Sequence, residues 1–182
     1  SKKEFFIQEE IALKSSGKVL CAFGLHPQKP LLENADFLET LLTQKRIIAL
    51  GETGFDFFTP ELKSCIFQQK KAFEVCLELA TEHKVPLVVH DRKALDLVFF
   101  YSAGLKKCAS VVFHSFAFTA RDAASILNHG INAYFSFGKP LLNGNKKSIG
   151  CVKELPLEKI LLETDAPYQT LKGEEKTSPL QI

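Results

Sequence analysis

The chain is 182 residues long, 46% hydrophobic and 24% charged, with a mean hydropathy of +0.02. That is the balance of a globular protein with one sizeable core, and one domain is expected. A formal net charge of +2 and a pI of about 8.2 exclude a surface that attracts nucleic acid as a whole, so any phosphate-binding patch must be local.

The N-terminus reads SKKEFFIQEE, which is not a cationic and apolar leader, and no apolar run reaches the length of a membrane span. Cys21, Cys65, Cys76, Cys108 and Cys151 are odd in number, and none has metal-ligand spacing. A reduced compartment, the cytoplasm, is expected. The chain starts at Ser1 and has no Met, which reads as a processed or partial product.

Six apolar runs follow in chain order: VLCAFGLHP (19–27), IIALGETG (47–54), VPLVVHDR (85–92), SVVFHSF (110–116), INAYFSFG (131–138) and KILLETDAP (159–167). Short aliphatic runs without polar alternation suit strands covered on both faces of a parallel sheet. Between them the spacing predicts helices over 32–44, 62–80, 92–102, 120–128 and 146–154. Thr119 serves as an N-cap and Gly130 as a stop. Strand and helix alternate throughout, which predicts an α/β fold, either doubly wound or a β/α barrel. No G-x-G-x-x-G or Walker A loop is present, which weakens the nucleotide-binding versions of the first. KGEEKTSP (172–179) reads as a solvated loop.

The runs end in chemistry. Glu52 closes the second between Gly51 and Gly54, His90 the third, His114 the fourth and Asp165 the sixth. The two glycines let the backbone turn where the Glu52 carboxylate emerges. In a parallel sheet the carboxyl ends of the strands share one face, where β/α enzymes keep their active sites. One histidine at a strand end is usually structural, whereas two His with a Glu and an Asp make a nitrogen and oxygen set suited to Zn²⁺, Mn²⁺, Fe²⁺ or Mg²⁺. Arg92, two residues past His90, points to the same side and suits phosphate, its alternative being an ion pair with Asp91 or Glu163. His26 precedes Pro27 and reads as structural, as do His83 and His129 at helix ends. Most of the sixteen Phe belong in the core, although Phe57 and Phe58 could stack on bases.

GETGFDFF resembles the G-E-x-G-x-D segment of the TatD-like metal-dependent hydrolases. GLHP, VVHDR, FHSF and ETDAPY follow in that family's order, and FQQKKAFEVCLELA is similar to its intervening helix. The resemblance runs from about Val19 to Tyr168. It implies a TIM-type (β/α)₈ barrel and a divalent-metal-dependent deoxyribonuclease, an exonuclease acting on ester bonds of DNA. It further implies two divalent ions (Mg, Mn or Zn) bridged by Glu52, with His90 and His114 on one and Asp165 on the other, where it is general base. Arg92 would bind substrate, and a monomer without membrane attachment is expected. The family's Asp-x-His-x-His segment on the first strand is not found here, nor is an eighth strand after Asp165. The expectation is therefore a single barrel domain over residues 1–182 that lacks its first and last strands. The alternative is an inactive scaffold or nucleic-acid-binding relative.

Overall fold

The computed structural model describes residues 1–181, which fall into two compact units, residues 1–110 and 111 onward. Each carries three strands among the described residues.

The first unit begins with a helix that the hydrophobic pattern does not announce, α1 (Lys2–Lys14). Ser1 caps it, accepting from the Glu4 N–H while the Glu4 carboxylate returns to the Ser1 backbone. That reciprocal box satisfies donors the first turn leaves orphaned. Phe5 is buried from this helix against Phe23 and Phe37, and Arg46 holds Glu9 with two hydrogen bonds.

Strand β1 is only Ala22–Phe23, although the first apolar run is longer. A short 3-10 turn (Leu32–Asn34) leads into α2 (Ala35–Thr43), which buries Leu38, Leu41 and Leu42. Strand β2 (Ala49–Asp56) runs parallel to β1, and to β3 (Leu87–Arg92) on its other side. The predicted 62–80 helix is two helices that meet at Cys65: α3 (Pro60–Ser64), capped by Thr59, and α4 (Ile66–His83). Helix α4 buries Gln69, Ala72, Phe73, Cys76, Leu79 and Ala80, one stripe at helical spacing, and ends where Lys84 turns left-handed at φ +54°. Phe55 and Phe73 are almost fully buried with ring centroids 4.8 Å apart. Each such ring contributes about 1.5–3 kcal/mol by leaving water.

The predicted 92–102 helix starts later, because Arg92 is the last residue of β3. It comes as α5 (Leu95–Phe100) and α6 (Ser102–Leu105). The Asp91 carboxylate braces the turn between β3 and α5, its Oδ1 accepting from the Ala94 N–H at 3.0 Å.

The second unit contains β4 (Val111–His114), α7 (Ala120–Asn128), β5 (Ala133–Phe137), α8 (Lys146–Glu154) and β6 (Ile160–Leu162), the strands parallel in sequence order. Both helices match their predicted limits. Thr119 and Asp122 form a capping box on α7, and Asn145 accepts from two N–H groups of α8. Phe113 and Phe135 stack at 5.6 Å, with Phe116 edge-on to Phe135 at 4.7 Å. Strand β6 stops at Leu162, so Asp165 lies beyond it at φ +54°. The segment read as a solvated loop is partly tied down: Thr177 is buried and bonds Pro167 and Gln169, and Glu174 pairs with the buried Lys139. Among the described residues no helix is long and apolar enough to cross a membrane.

Candidate metal centre

Glu52 does not stand at a strand end. Leu50 pairs with Leu87 and Thr53 with Val89, so β2 spends three steps where β3 spends two. This is a bulge, and it turns the Glu52 carboxylate out of the ladder while the strand continues to Asp56. Gly54 sits opposite His90 at φ +135°, and a Cβ there would stand 2.2 Å from the His90 carbonyl oxygen. Only glycine allows the two backbones to close at the level of the histidine.

His90 is held from behind. Its Nε2 lies 3.0 Å from Asp56 Oδ2, which turns Nδ1 towards Glu52 Oε2 at 3.5 Å. Asp56 is fully buried, which by itself would raise its pKa. Hydrogen bonds from the Gln28 amide, the Phe58 N–H and His90 outweigh the burial and hold the carboxyl below its ordinary range. Arg92 approaches the same oxygen at 3.7 Å, so its partner is Asp56 rather than Asp91. Asp91 lies on the opposite side of the strand, and burial pushes its carboxyl up to about 7.

His26, read as structural from the sequence, joins this group. Its Nε2 is 3.5 Å from Glu52 Oε2 and its ring meets that of His90 edge-on at 4.9 Å. Nδ1 accepts from the Gln28 N–H at 3.2 Å, so in the neutral ring Nε2 carries the hydrogen. That tautomer faces Glu52 as a donor.

A parallel arrangement exists in the second unit. His114 Nδ1 lies 2.7 Å from Glu163 Oε2, and its Nε2 faces Asp165 Oδ1 at 3.4 Å. Ser115 N–H and the Ser136 hydroxyl donate to the same Glu163 oxygen. Gln169 Nε2 donates to Asp165 Oδ2 at 2.8 Å and to Ser115 Oγ at 2.5 Å. In the sequence Glu163 stands out only as an ion partner of Arg92, Asp56 only as the last residue of the G-E-x-G-x-D segment, and Gln169 not at all. The histidine neighbours were the missing signal: a ligating imidazole needs an acceptor on its other nitrogen.

The donors fit a divalent metal. One ligand atom each from His26, Glu52 and His90 lie within 4.8 Å of one another, the His26 nitrogen able to ligate only on giving up the hydrogen it points at Glu52, and the set offers imidazole nitrogen and carboxylate oxygen without thiolate. Parallel strands that present carboxylate-braced imidazoles are the build of the metal-dependent hydrolases. This chain belongs to one family of them, TatD related DNase, whose model matches residues 2–181.

It is 30% identical over 157 residues to an uncharacterized metal-dependent hydrolase, YabD, of Bacillus subtilis, covering 84% of this chain and 60% of that one. It is 32% identical over 152 residues to the 3'-5' ssDNA/RNA exonuclease TatD of Pantoea ananatis, covering 80% of this chain and 56% of that one. The crystal structure of YJJV, a TatD homolog from Escherichia coli K12, superposes with a TM-score of 0.82 at 24% identity, covering 98% of this chain and 70% of that one. That likeness places the fold in the α/β TIM-barrel class expected from the sequence. The chain spans a little under two thirds of the length of the curated relatives it matches.

Proposed function

We propose that this protein is a divalent-metal-dependent phosphodiesterase of the deoxyribonuclease type, an exonuclease that removes nucleotides from DNA. The observation that carries the reading is the bracing of two histidines. Asp56 and Glu163 each engage one nitrogen of an imidazole, and the other nitrogen faces the carboxylate of Glu52 or Asp165. A structural histidine needs no such second carboxylate. The name of the Pantoea ananatis relative supports a nucleic-acid substrate.

In this reading Glu52, His90, His114 and Asp165 are the residues that would hold two divalent ions, Mg²⁺, Mn²⁺ or Zn²⁺. Such a pair supplies Lewis acidity at the phosphoryl oxygen and lowers the pKa of water. The chain's own groups do the rest. Asp165 takes the proton of the attacking water, with Oδ2 already engaged by Gln169 and its geometry fixed. Arg92 holds a non-bridging phosphate oxygen, and the His26 N–H is a second donor on the same side. A monomer in the cytoplasm completes the proposal, in keeping with five unpaired cysteines.

The test is Glu52→Ala in the purified protein, assayed on a 3'-labelled oligonucleotide with and without EDTA, beside isothermal titration with Mn²⁺. Loss of cleavage and of metal uptake with an unchanged melting temperature is expected. Cleavage that survives the substitution or the chelator refutes the metal assignment. DNA binding without any cleavage by the wild-type protein would instead favour a noncatalytic DNA-binding relative.

A further inference from the structure

Beyond the last paired residues of β2 and β3, Asp56 and Arg92, the two strands carry Phe57, Phe58 and Lys93. Phe57 N–H still donates to the Arg92 carbonyl at 2.8 Å, and Phe58 N–H is held by Asp56 Oδ1 at 2.9 Å. Neighbouring strands lie about 4.8 Å apart, so side chains from the two tips are forced together. The Arg92 guanidinium sits 4.0 Å from the centroid of the Phe58 ring and the Lys93 ammonium 4.8 Å from it. Lys63 approaches the ring of Phe57 at 5.9 Å. Phe58 itself is 52% exposed, in contrast to the fully buried Phe55 three residues earlier.

We infer that Phe58 and Lys93, with Arg92, form a subsite for one nucleotide of a single-stranded nucleic acid, the ring stacking on a base and the cations taking its phosphates. The inference rests on the phosphodiesterase reading above and extends it to strand selection.

Three observations carry it. An aromatic left half in water with two cations lying over its ring joins the elements that sequence-tolerant strand binding uses: a π-face that a base can take as the cations turn to its phosphates. The patch is local, as the overall charge of +2 requires of any phosphate-binding surface here. Its anchor is also that of the histidine, since Asp56 binds both the Phe58 N–H and His90. A phosphate held at Arg92 therefore lies close to the braced imidazole. Duplex DNA cannot use the ring, because its bases are already stacked on both faces. Only an unpaired end presents a free face.

The experiment is fluorescence anisotropy of labelled single-stranded and duplex oligonucleotides against the purified protein without added metal, across a salt series. Wild-type protein should bind the single strand more tightly. Phe58→Ala should lose about tenfold of that affinity, the scale of one base stack, while Phe58→Trp should retain it. Lys93→Gln should lower the slope of log K against log salt by about 0.7, one phosphate on a single strand. Circular dichroism melts confirm that each variant is folded, and Phe58→Leu, which keeps the bulk without a π-face and should lose the same affinity, serves where Phe58→Ala is not. Wild-type affinity and slope in Phe58→Ala and Lys93→Gln overturn the subsite. If those variants also cleave DNA like wild type, the phosphodiesterase reading stands without it. A wild-type protein that neither binds nor cuts any oligonucleotide overturns both.

Discussion

Asp56 Oδ2 lies 3.0 Å from Nε2 of His90, and the carboxylate that makes this contact is fully buried. The pair fixes which imidazole nitrogen faces Glu52. Asp56→Asn keeps the shape but removes the charge and one of the two acceptor oxygens, so the side chain cannot accept from both the Phe58 N–H and His90, and the tautomer of the histidine is no longer fixed. Metal affinity should fall about 10- to 100-fold, the usual cost of losing such a brace. Titration calorimetry with Mn²⁺ reads it, and an unchanged dissociation constant would remove Asp56 from the site.

Gln169 spends both amide hydrogens, one on Asp165 Oδ2 and one on Ser115 Oγ. Gln169→Leu leaves the carboxylate free to rotate. A drop in kcat of about tenfold with KM little changed is expected, because a misoriented base weakens the chemical step more than binding. Gln169→Glu, which sets a second negative charge beside Asp165, should be worse. Equal losses in both parameters would indicate a general structural role instead.

Thiol reactivity should follow burial. Cys76 and Cys151 are buried, and burial pushes each thiol up to about 11, with Glu154 and Asp122 adding to the rise at Cys151. Cys21 and Cys108 are raised for the same first reason. Cys65 is the half-buried one. A native protein treated with an aromatic disulfide at pH 8 should label at Cys65 first, since the thiolate is the nucleophile. Equally fast labelling of Cys76, located by peptide mass mapping, contradicts the packing of α4.

Arg46 clamps Glu9 through two hydrogen bonds of 2.6 and 2.5 Å and also lies over the rings of Phe5 and Phe6. Those bonds lower the Glu9 pKa, chiefly through the Arg46 guanidinium. A depressed carboxylate contributes fully above its unfolded value of about 4.3, and the contribution disappears as pH falls through the lower folded value. Arg46→Ala should therefore cost about 1–2 kcal/mol at pH 7. In urea titrations stepped from pH 6 to pH 3, the gap between wild type and variant should narrow towards the acid end. A gap independent of pH would place the effect in the aromatic packing alone.

Much of this was legible in the sequence, for reasons that differ by element. Helix α7 was readable to the residue because its cap, Thr119, is local chemistry, whereas α8 was legible from spacing and its cap, Asn145, emerges only in the structure. Helix α1 was not, because its apolar residues mark no single face: Phe6, Ile7, Ile11 and Leu13 are exposed and only Phe5 is buried. Its signal was the Ser-x-x-Glu box at Ser1 and Glu4. The apolar run of β6 overstated the strand, since a hydrophobic stretch does not reveal where pairing ends. Glu52 was expected at a strand end because two glycines flank it. Those glycines instead serve a bulge and a close approach to β3, and both depend on the partner strand's register. The supporting groups were harder still. Asp56 and Gln28 are 28 positions apart, and Ser115 and Gln169 are 54 apart, so only folding makes them neighbours.

Asp56 has a wider bearing through the company it keeps. The turn after His26 reaches it through Gln28, the third strand through His90, and the aromatic tip through the Phe58 backbone. Three stretches of chain far apart in sequence thus share one negative charge as their common mooring. Substitutions at Gln28 and His90 should not behave as independent changes, because each alters how Asp56 holds the other, whereas the Phe58 contact is made by its backbone N–H and survives substitution. A nucleic-acid end that settled on the aromatic tip would pull on the same mooring, so occupancy there and the pose of the imidazole become a single variable.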